Sequence, residues 1–342
     1  MVARIPLALA LVSLALAQSD SSPKPDTPVP PKPIKVQVNE VIVPVTVTDY
    51  KGRFVSNLEA KDFKVFDQDK EQRLESFSHD RNQPLVVGFL MDLSNDSRVN
   101  WKYYQDAAID LVLHILPGDK KFSGFLISYA NEPELQVNTT TEADKMVEKL
   151  RKMKPGGGSS LYDAIYMACM HRQVVEGEPY DPRRVIIVIG DGHDNASKKS
   201  LNEVIEVAQR SLVTIYAMST VSFGFTNEGE ENLLRLTAET GGRVEYPLNN
   251  IYSDVDGYLS HPSDDGNYAL TIGTGLYASE VSSGIFRAIA AIVGEVTTQY
   301  ILIYVPDTGG GDAKQFRKIK VVLPDYPTAR VRFRTGYYPF AP

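Results

Sequence analysis

Residues 35–80 and 299–342 alternate apolar and polar positions with the period of two that is typical of β-strands. The alternation is plainest in the run VIVPVTV at 41–47. Neither segment has enough strands to bury a core by itself. We therefore predict that the two segments fold together into one small antiparallel β-sandwich, into which the middle of the chain is inserted.

The middle of the chain, residues 84–298, alternates short apolar runs with longer amphipathic stretches. The predicted strands are 85–91, 121–129, 184–190, 213–219 and 243–246, and the predicted helices are 98–116, 141–153, 160–174, 200–211, 228–240 and 285–297. This alternation predicts the α/β class, with a doubly wound, mostly parallel sheet and helices on both faces. Residues 247–284 are rich in Tyr, Gly, Asp and Ser, and we predict that they form a long inserted loop.

The N-terminal residues have the pattern of an export signal. Residues 1–17 combine Arg4, a short apolar run and a small-x-small ending at Ala17, which predicts a cleaved secretory signal. Residues 18–34 are rich in Pro, Ser and charge and are predicted to be an extended linker. The apolar run is short for a membrane span, and we identify no later stretch of about 18 apolar residues. We expect a secreted, periplasmic or envelope protein with no stable transmembrane span after cleavage.

Charge and cysteine content narrow the possible functions. The net charge of -7 argues against nucleic-acid binding and leaves cation binding open. The single cysteine, Cys169, rules out an intrachain disulfide, so an exported chain must be stable through its core. Cys169 lies in a stretch of helical period, and we expect it to be buried.

Two of the predicted parallel strands end on acidic residues. Asp92 follows strand 85–91, and Asp191 follows strand 184–190. Because ligands of doubly wound sheets bind at the carboxyl ends of the strands, we expect these two carboxylates to share a site.

A glycine turn supplies a third polar element. The run PGGGSSLYDAI at 155–165 places Ser159 and Ser160 just before a predicted helix, and we expect it to lie beside the two strand ends. Carboxylate and hydroxyl oxygens are the ligands that hard divalent cations prefer. The sequence therefore predicts a site for Mg²⁺ or Ca²⁺, and Mn²⁺ is also possible.

These motifs, in this order, resemble those of the von Willebrand factor type A domain and its metal-ion-dependent adhesion site, over about residues 84–300. DLSND at 92–96 resembles the family's Asp-x-Ser-x-Ser motif, and GGSSLYDA at 157–164 is similar to its Gly-Gly-Thr-x-Leu-x-Asp-Ala motif. VIGDGHDN resembles the strand end that bears the family's last acid. The metal ligands that the resemblance implies are Asp92, Ser94, Asp96, Ser159 and Asp191, and the implied binding positions beside them are Asn95, Ser160, Gly192 and His193.

The flanking segments extend the resemblance. The segment beginning VTDYKGRF and the terminal RFRTGYY look like those of a bacterial group of exported von Willebrand factor A-related proteins, which has no assigned enzymatic activity. The resemblance implies a non-enzymatic adhesion module whose cation accepts an acidic side chain of an unidentified partner protein.

Two positions depart from the family's motifs. Ser159 stands where a threonine is usual and keeps the hydroxyl, whereas Asp96 stands where a serine is usual. Asp96 either adds a third negative charge, which favours Ca²⁺ over Mg²⁺, or crowds the site or turns to water, which leaves the site empty. The simpler interpretation of His193 and Asp194 is that they are solvated loop residues.

Two other functions fit parts of the sequence. One is a metal-free scaffold in an envelope assembly. The other is a Mg²⁺-dependent phosphohydrolase, because VIGDGHDN also resembles a late motif of haloacid-dehalogenase-type phosphatases. Those enzymes need a second acid two positions after the nucleophilic Asp, and here that position is Ser94, a poor proton donor at neutral pH. We therefore predict a protein that is not an enzyme.

Overall fold

The computed structural model describes nine segments of the chain. They are 40–79, 84–98, 101–171, 182–221, 227–248, 260–262, 268–270, 274–306 and 315–339, with the backbone alone in 260–262, 268–270 and 274–280. The predicted signal 1–17 and linker 18–34 lie outside the described residues.

The predicted strands and helices follow one another in the expected order, with further strands between them. They are β1 (Val41–Thr48), β2 (Lys64–Asp67), β3 (Lys70–Gln72), β4 (Leu74–Ser78), β5 (Leu85–Asp92), α1 (Trp101–Ile115), β6 (Phe122–Tyr129), β7 (Pro133–Thr140), α2 (Ala143–Lys152), α3 (Leu161–Met170), β8 (Arg183–Gly190), α4 (Leu201–Arg210), β9 (Val213–Ser219), α5 (Glu228–Thr240), β10 (Val244–Glu245), β11 (Ser260–Pro262), β12 (Tyr268–Leu270), α6 (Thr274–Thr298), β13 (Tyr300–Tyr304), β14 (Arg317–Val322), β15 (Arg330–Arg332) and β16 (Gly336–Tyr337).

The central sheet has the strand order β10-β9-β8-β5-β6-β7. Its strands are parallel except β7, which pairs antiparallel with β6 at the edge. Helices α1, α2 and α6 contribute to the apolar core on one face, and α3, α4 and α5 contribute to the core on the other. The predicted α/β class and doubly wound, mostly parallel sheet are confirmed.

Strand β5 lies in the middle of this sheet and is buried along its whole length. Its side chains alternate between the two cores, with Phe89 and Met91 on the α1 face and Leu90 on the α3 face. Because successive side chains of a strand point to opposite faces, Asp92 points to the α3 face at the carboxyl end of β5.

The strands from the two chain ends form two further sheets that share one core. One sheet has the order β15-β1-β13-β4 and the other has the order β16-β14-β2-β3. The buried Asp67 of β2 accepts hydrogen bonds from the hydroxyls of Tyr304 at 3.2 Å and Tyr337 at 2.8 Å, and Arg317 pairs with it at 2.9 Å. The predicted sandwich of strands from both ends is therefore present.

Charged side chains join the central sheet to the sandwich. Glu295 of α6 is fully buried and pairs with Arg332 of β15 and, at 3.1 Å, with Arg243. Arg243 also pairs with Glu245 of β10. Burial raises the pKa of Glu245 to about 7, although Arg243 lowers it. This network of two acids and two arginines, in which only Glu295 is fully buried, spans three structural elements.

Helix α6 contains a stretch, Val281–Thr298, that is long and apolar enough to cross a membrane by length and composition alone. We identified no such stretch in the sequence. Buried side chains along this helix pack into the core of the α1 face, namely Val281, Ile285, Ala288, Ile289, Ile292 and Val296. These contacts are those of a core helix, which passes the same test as a membrane span.

Two elements differ from the predictions. Strand β7 lies in a segment for which no element was predicted, and α6 begins at Thr274 rather than at 285. The segment 247–284, predicted as a loop, therefore contains β11, β12 and the first turns of α6. Cys169 is buried, as predicted.

Candidate functional site

The carboxyl ends of β5 and β8 bring Asp92 and the loop after Gly190 together. Asp92 is 1% exposed, and its Oδ1 accepts a hydrogen bond from the Ser94 N–H at 2.7 Å. Its Oδ2 is buried and accepts no hydrogen bond from the described residues. The pKa of Asp92 is raised to about 6, mainly by burial and also by the nearby charge of Asp191, against the lowering effect of the Ser94 N–H. Asp92 is therefore an incompletely satisfied buried carboxyl group.

Two hydroxyls of the loop after β5 lie beside Asp92. Ser94 and Ser97 are both buried, and their Oγ atoms are 3.5 Å apart. Both hydroxyls lower the pKa of Asp92, which indicates that they face its carboxylate. Ser97 is a residue that the sequence analysis missed.

A 3₁₀ turn at Asp96–Arg98 places Ser97, rather than Asp96, at the buried third position of the motif. The turn is closed by a bond from the Arg98 N–H to the Asn95 carbonyl at 3.2 Å. It exposes the side chains of Asn95 and Asp96 and turns Ser97 inward. The predicted site residues Asn95 and Asp96 are therefore exposed, whereas Ser97 is buried. The spacing Asp-x-Ser-x-x-Ser in DLSNDS carried the signal for Ser97.

Two backbone bonds join the glycine turn at 155–158 to the loop after β5. The Gly156 N–H donates to the Leu93 carbonyl at 2.6 Å, and the Asn95 N–H donates to the Gly157 carbonyl at 3.0 Å. Gly157 has a φ of 115°, which favours glycine. The turn thus lies directly against the loop after β5.

Ser159 and Ser160 follow this turn, and both are buried. The Ser159 hydroxyl donates to the His193 carbonyl at 2.7 Å, and its N–H donates to Asn195 Oδ1 at 2.8 Å. The Ser160 hydroxyl has no hydrogen-bond partner in the described part of the chain. Ser159 therefore links the glycine turn to the loop that carries Asp191, and Asn195 is a supporting residue that the sequence analysis did not identify.

Asp191 lies at the rim of the site, with 13% of its side chain exposed. Its Oδ1 accepts the His193 N–H at 3.0 Å, and its Oδ2 is 3.0 Å from His193 Nδ1. Gly192, between them, has a φ of 82°. His193 is 42% exposed and so faces solvent while it holds Asp191.

Asp194 is not a solvated loop residue. Its Oδ2 accepts hydrogen bonds from the Tyr162 N–H at 2.9 Å and from the Ser197 hydroxyl at 2.6 Å. The first of these bonds attaches the loop after β8 to the first turn of α3. Asp194 therefore stabilises the position of the loop after β8 relative to α3.

The candidate donors of the site are all oxygen atoms. They are the carboxylates of Asp92 and Asp191, the hydroxyls of Ser94 and Ser97 beside Asp92, and the hydroxyl of Ser159, which donates to the His193 carbonyl. The described residues contain no group of three or more His, Cys, Asp or Glu side chains that could hold a metal ion. A set of two carboxylates and three hydroxyls with one unsatisfied buried oxygen nevertheless fits a hard divalent cation.

Tyr129, at the end of β6, is a further residue that the sequence analysis missed. It is 1% exposed, and its hydroxyl has no hydrogen-bond partner among the described residues. Burial raises its pKa, and the charges of Asp92 and Asp191 raise it further, so the phenol keeps its proton.

Residues 87–254 match the family model of the von Willebrand factor type A domain. No curated protein matches the chain.

Solved structures similar to this chain include three with low sequence identity. BatB from Bacteroides thetaiotaomicron is 17% identical over 62% of this chain and 97% of that chain, with a TM-score of 0.37. The vWF domain of the type V pili tip protein Mfa5 from Porphyromonas gingivalis is 14% identical over 46% and 86%, with a TM-score of 0.37. Proximal thread matrix protein 1 from the mussel byssus, described with a zinc-occupied MIDAS motif, is 15% identical over 49% and 43%, with a TM-score of 0.39.

Proposed function

We propose that this chain, in which residues 87–254 form a von Willebrand factor type A domain, is a non-enzymatic binding module that uses a divalent cation to bind a partner protein. The observation that carries the proposal is Asp92 Oδ2, a buried carboxylate oxygen that accepts no hydrogen bond from the described residues. A buried carboxylate is costly unless it is paired or coordinates a metal. A cation at this oxygen would remove that cost.

The residues that would hold the cation are Asp92, Ser94, Ser97, Ser159 and Asp191. Hard divalent cations take about six or more oxygen ligands, so these donors leave at least one position open. A bound Mg²⁺, Ca²⁺ or Mn²⁺ would accept a carboxylate from a partner protein at that position. The exposed Asn95 and Asp96 and the partly exposed His193 would then face the partner.

The exposure of Asp96 affects the choice of cation. With Asp96 turned to solvent, two carboxylates rather than three face the ion. The charge argument that favoured Ca²⁺ over Mg²⁺ therefore loses its basis, and we propose that Mg²⁺ or Mn²⁺ serves at least as well.

We propose further that the chain is exported and acts outside the cytoplasm, in the envelope or beyond it. The signal pattern of residues 1–17 and the proline-rich linker 18–34 support this location.

The test is the effect of cations on the unfolding of the metal-stripped chain. A cation that binds only the native state should stabilise it by about 2.7 kcal/mol at 100 times its dissociation constant. Asp92→Asn should abolish this stabilisation, since it removes the charge and keeps the shape. Asp96→Asn is the matched control, four residues away and exposed, and it should keep the full effect.

Three outcomes would contradict the proposal. Absence of stabilisation by millimolar Mg²⁺, Ca²⁺ or Mn²⁺ would favour a metal-free scaffold. Stabilisation that survives in Asp92→Asn would place the cation elsewhere. Hydrolysis of p-nitrophenyl phosphate by the chain, abolished in Asp92→Asn, would instead support the phosphohydrolase alternative.

A further inference from the structure

Three residues form a row across the central sheet, at the level of the candidate cation site. Tyr129 of β6 pairs with Asp92 of β5, and Met91 pairs with Ile189, so Asp92 lies beside Gly190 of β8. Tyr129 belongs to the core on the α3 face, and alternation along β5 and β8 directs Asp92 and Gly190 to the same face.

Gly190 leaves space in this row, and Tyr129 extends into it. A Cβ atom on Gly190 would collide with the Tyr129 hydroxyl, and it would lie 2.9 Å from Asp92 Cβ and 3.1 Å from Asp92 Oδ2. The phenol therefore crosses β5 on the side of the Asp92 carboxylate and ends near β8. Tyr129 Oη and Asp92 Oδ2 converge on the space that a side chain at position 190 would take.

Both converging oxygens are buried and unsatisfied. Tyr129 and Asp92 are each 1% exposed, and neither Tyr129 Oη nor Asp92 Oδ2 makes a hydrogen bond with any described residue. Unpaired buried polar atoms are rare in native proteins, and a phenylalanine would fill the same space without leaving one. One atom is a donor and the other an acceptor, so they are complementary.

We propose that Tyr129 is a positioning residue of the cation site, whose hydroxyl donates a hydrogen bond to the Asp92 carboxylate when a cation is bound. The inference rests on the proposed cation site. Ligating carboxylates are held by outer hydrogen-bond partners, and loss of such a partner typically weakens metal binding by about 10–100-fold. Tyr129 would supply this partner from inside the core, where solvent does not compete.

The test compares two Tyr→Phe variants of the full chain by calorimetric titration with Mg²⁺, Ca²⁺ and Mn²⁺. Tyr129→Phe should weaken cation binding by roughly 10–100-fold and should not lower the unfolding midpoint of the metal-free chain, because its hydroxyl makes no bond there. Tyr216→Phe is the matched control, a buried tyrosine of β9 on the opposite face, whose hydroxyl accepts a bond from Gln299 Nε2 at 2.9 Å. It should lower the midpoint and leave cation affinity unchanged.

The outcomes separate this inference from the proposed function. Cation binding by the wild type that persists unchanged in Tyr129→Phe would overturn the role of Tyr129 and leave the cation site intact. A midpoint that falls in metal-free Tyr129→Phe, with unchanged affinity, would make Tyr129 a structural residue only. Failure of the wild type to bind any of the three cations would overturn both proposals.

Discussion

Asp92 combines burial with incomplete hydrogen bonding, and this combination sets the chemistry of the candidate site. With a pKa of about 6, raised mainly by burial, it is ionised at neutral pH but poorly stabilised in the absence of a cation. The Ser94 N–H donates to it at 2.7 Å, and the hydroxyls of Ser94 and Ser97 also face it. A carboxylate in this state gains more from a dication than an exposed carboxylate would, because the exposed group is already solvated.

The 3₁₀ turn after β5, which buries Ser97 and exposes Asp96, leads to a prediction for these two residues. Ser97→Ala removes a buried hydroxyl that faces Asp92, and we expect it to weaken cation binding about 10-fold or more. Asp96→Ala removes an exposed carboxylate, and we expect less than a twofold change at physiological salt. Cation titration of both variants checks this. The opposite ranking would mean that Asp96 rather than Ser97 serves the ion.

Sequence reasoning identified the strand ends of this site better than the loop conformations. Asp92 and Asp191 could be placed because a buried parallel strand that ends on an acid presents it at a known edge of the sheet. Ser97 could not, because a single 3₁₀ turn shifts the inward position by one residue. Tyr129 could not, because its role depends on the pairing register of three strands, which no local pattern encodes.

At the scale of elements, two glycines allow the loop after β8 to pack closely against α5. A Cβ atom on Gly192 would overlap the Gly229 carbonyl oxygen, and a Cβ atom on Gly229 would lie 2.8 Å from the His193 N–H nitrogen. Asn232 of α5 also donates to the Gly192 carbonyl at 3.2 Å. The position of Asp191 therefore depends on a close approach between a loop and a helix.

Gly192→Ala should lower the free energy of unfolding by about 2–5 kcal/mol. This is the sum of the cost of a left-handed backbone at a residue with a Cβ atom and the cost of the collision with the Gly229 backbone. Gly52→Ala is a control for the cost of the left-handed backbone alone. Gly52 has a φ of 78°, and no atom lies within 4 Å of a Cβ atom placed there. It should cost only about 1–2 kcal/mol. Urea unfolding of the two variants measures the difference. Equal losses would mean that the loop can move away from α5.

The missed strand β7 and the misplaced start of α6 have physical explanations. The sequence of β7, PELQVNTT, is polar and partly exposed on both faces, because β7 is an edge strand that no helix fully covers. Its apolar period is therefore absent. Helix α6 begins in TGLYASEVSSG, where two glycines and three serines lower helix propensity. From Val281 onward, burial of its apolar side chains in the core compensates for this low propensity.

At the scale of the whole molecule, the charged network at the junction of the central sheet and the sandwich makes stability depend on pH. The pKa of Glu245 is raised to about 7 by burial, above its value in the unfolded chain. The native state therefore holds this proton more tightly, and the stability that it contributes is full below about pH 4.5 and lost as pH rises through about 7.

Glu245→Gln should remove this part of the pH dependence. Relative to the wild type, we expect the variant to gain up to about 3 kcal/mol between pH 4.5 and pH 8, since each pKa unit corresponds to 1.36 kcal/mol. Urea midpoints of both proteins across this range provide the measurement. Parallel curves would show that the ion pair with Arg243 keeps Glu245 charged throughout.

The interleaving of strands from both chain ends also has a consequence for biosynthesis. Val45 of β1 pairs with Tyr300 of β13, which lies 255 residues later in the chain. At a translation rate of about 5–20 residues per second, β1 is made roughly 10–50 s before its partner exists. During that interval its hydrogen-bonding edges remain open to proteases and to other nascent chains. Completion of the sandwich is thus among the last events of synthesis, and a chain that is released early lacks the strands that would protect its first one.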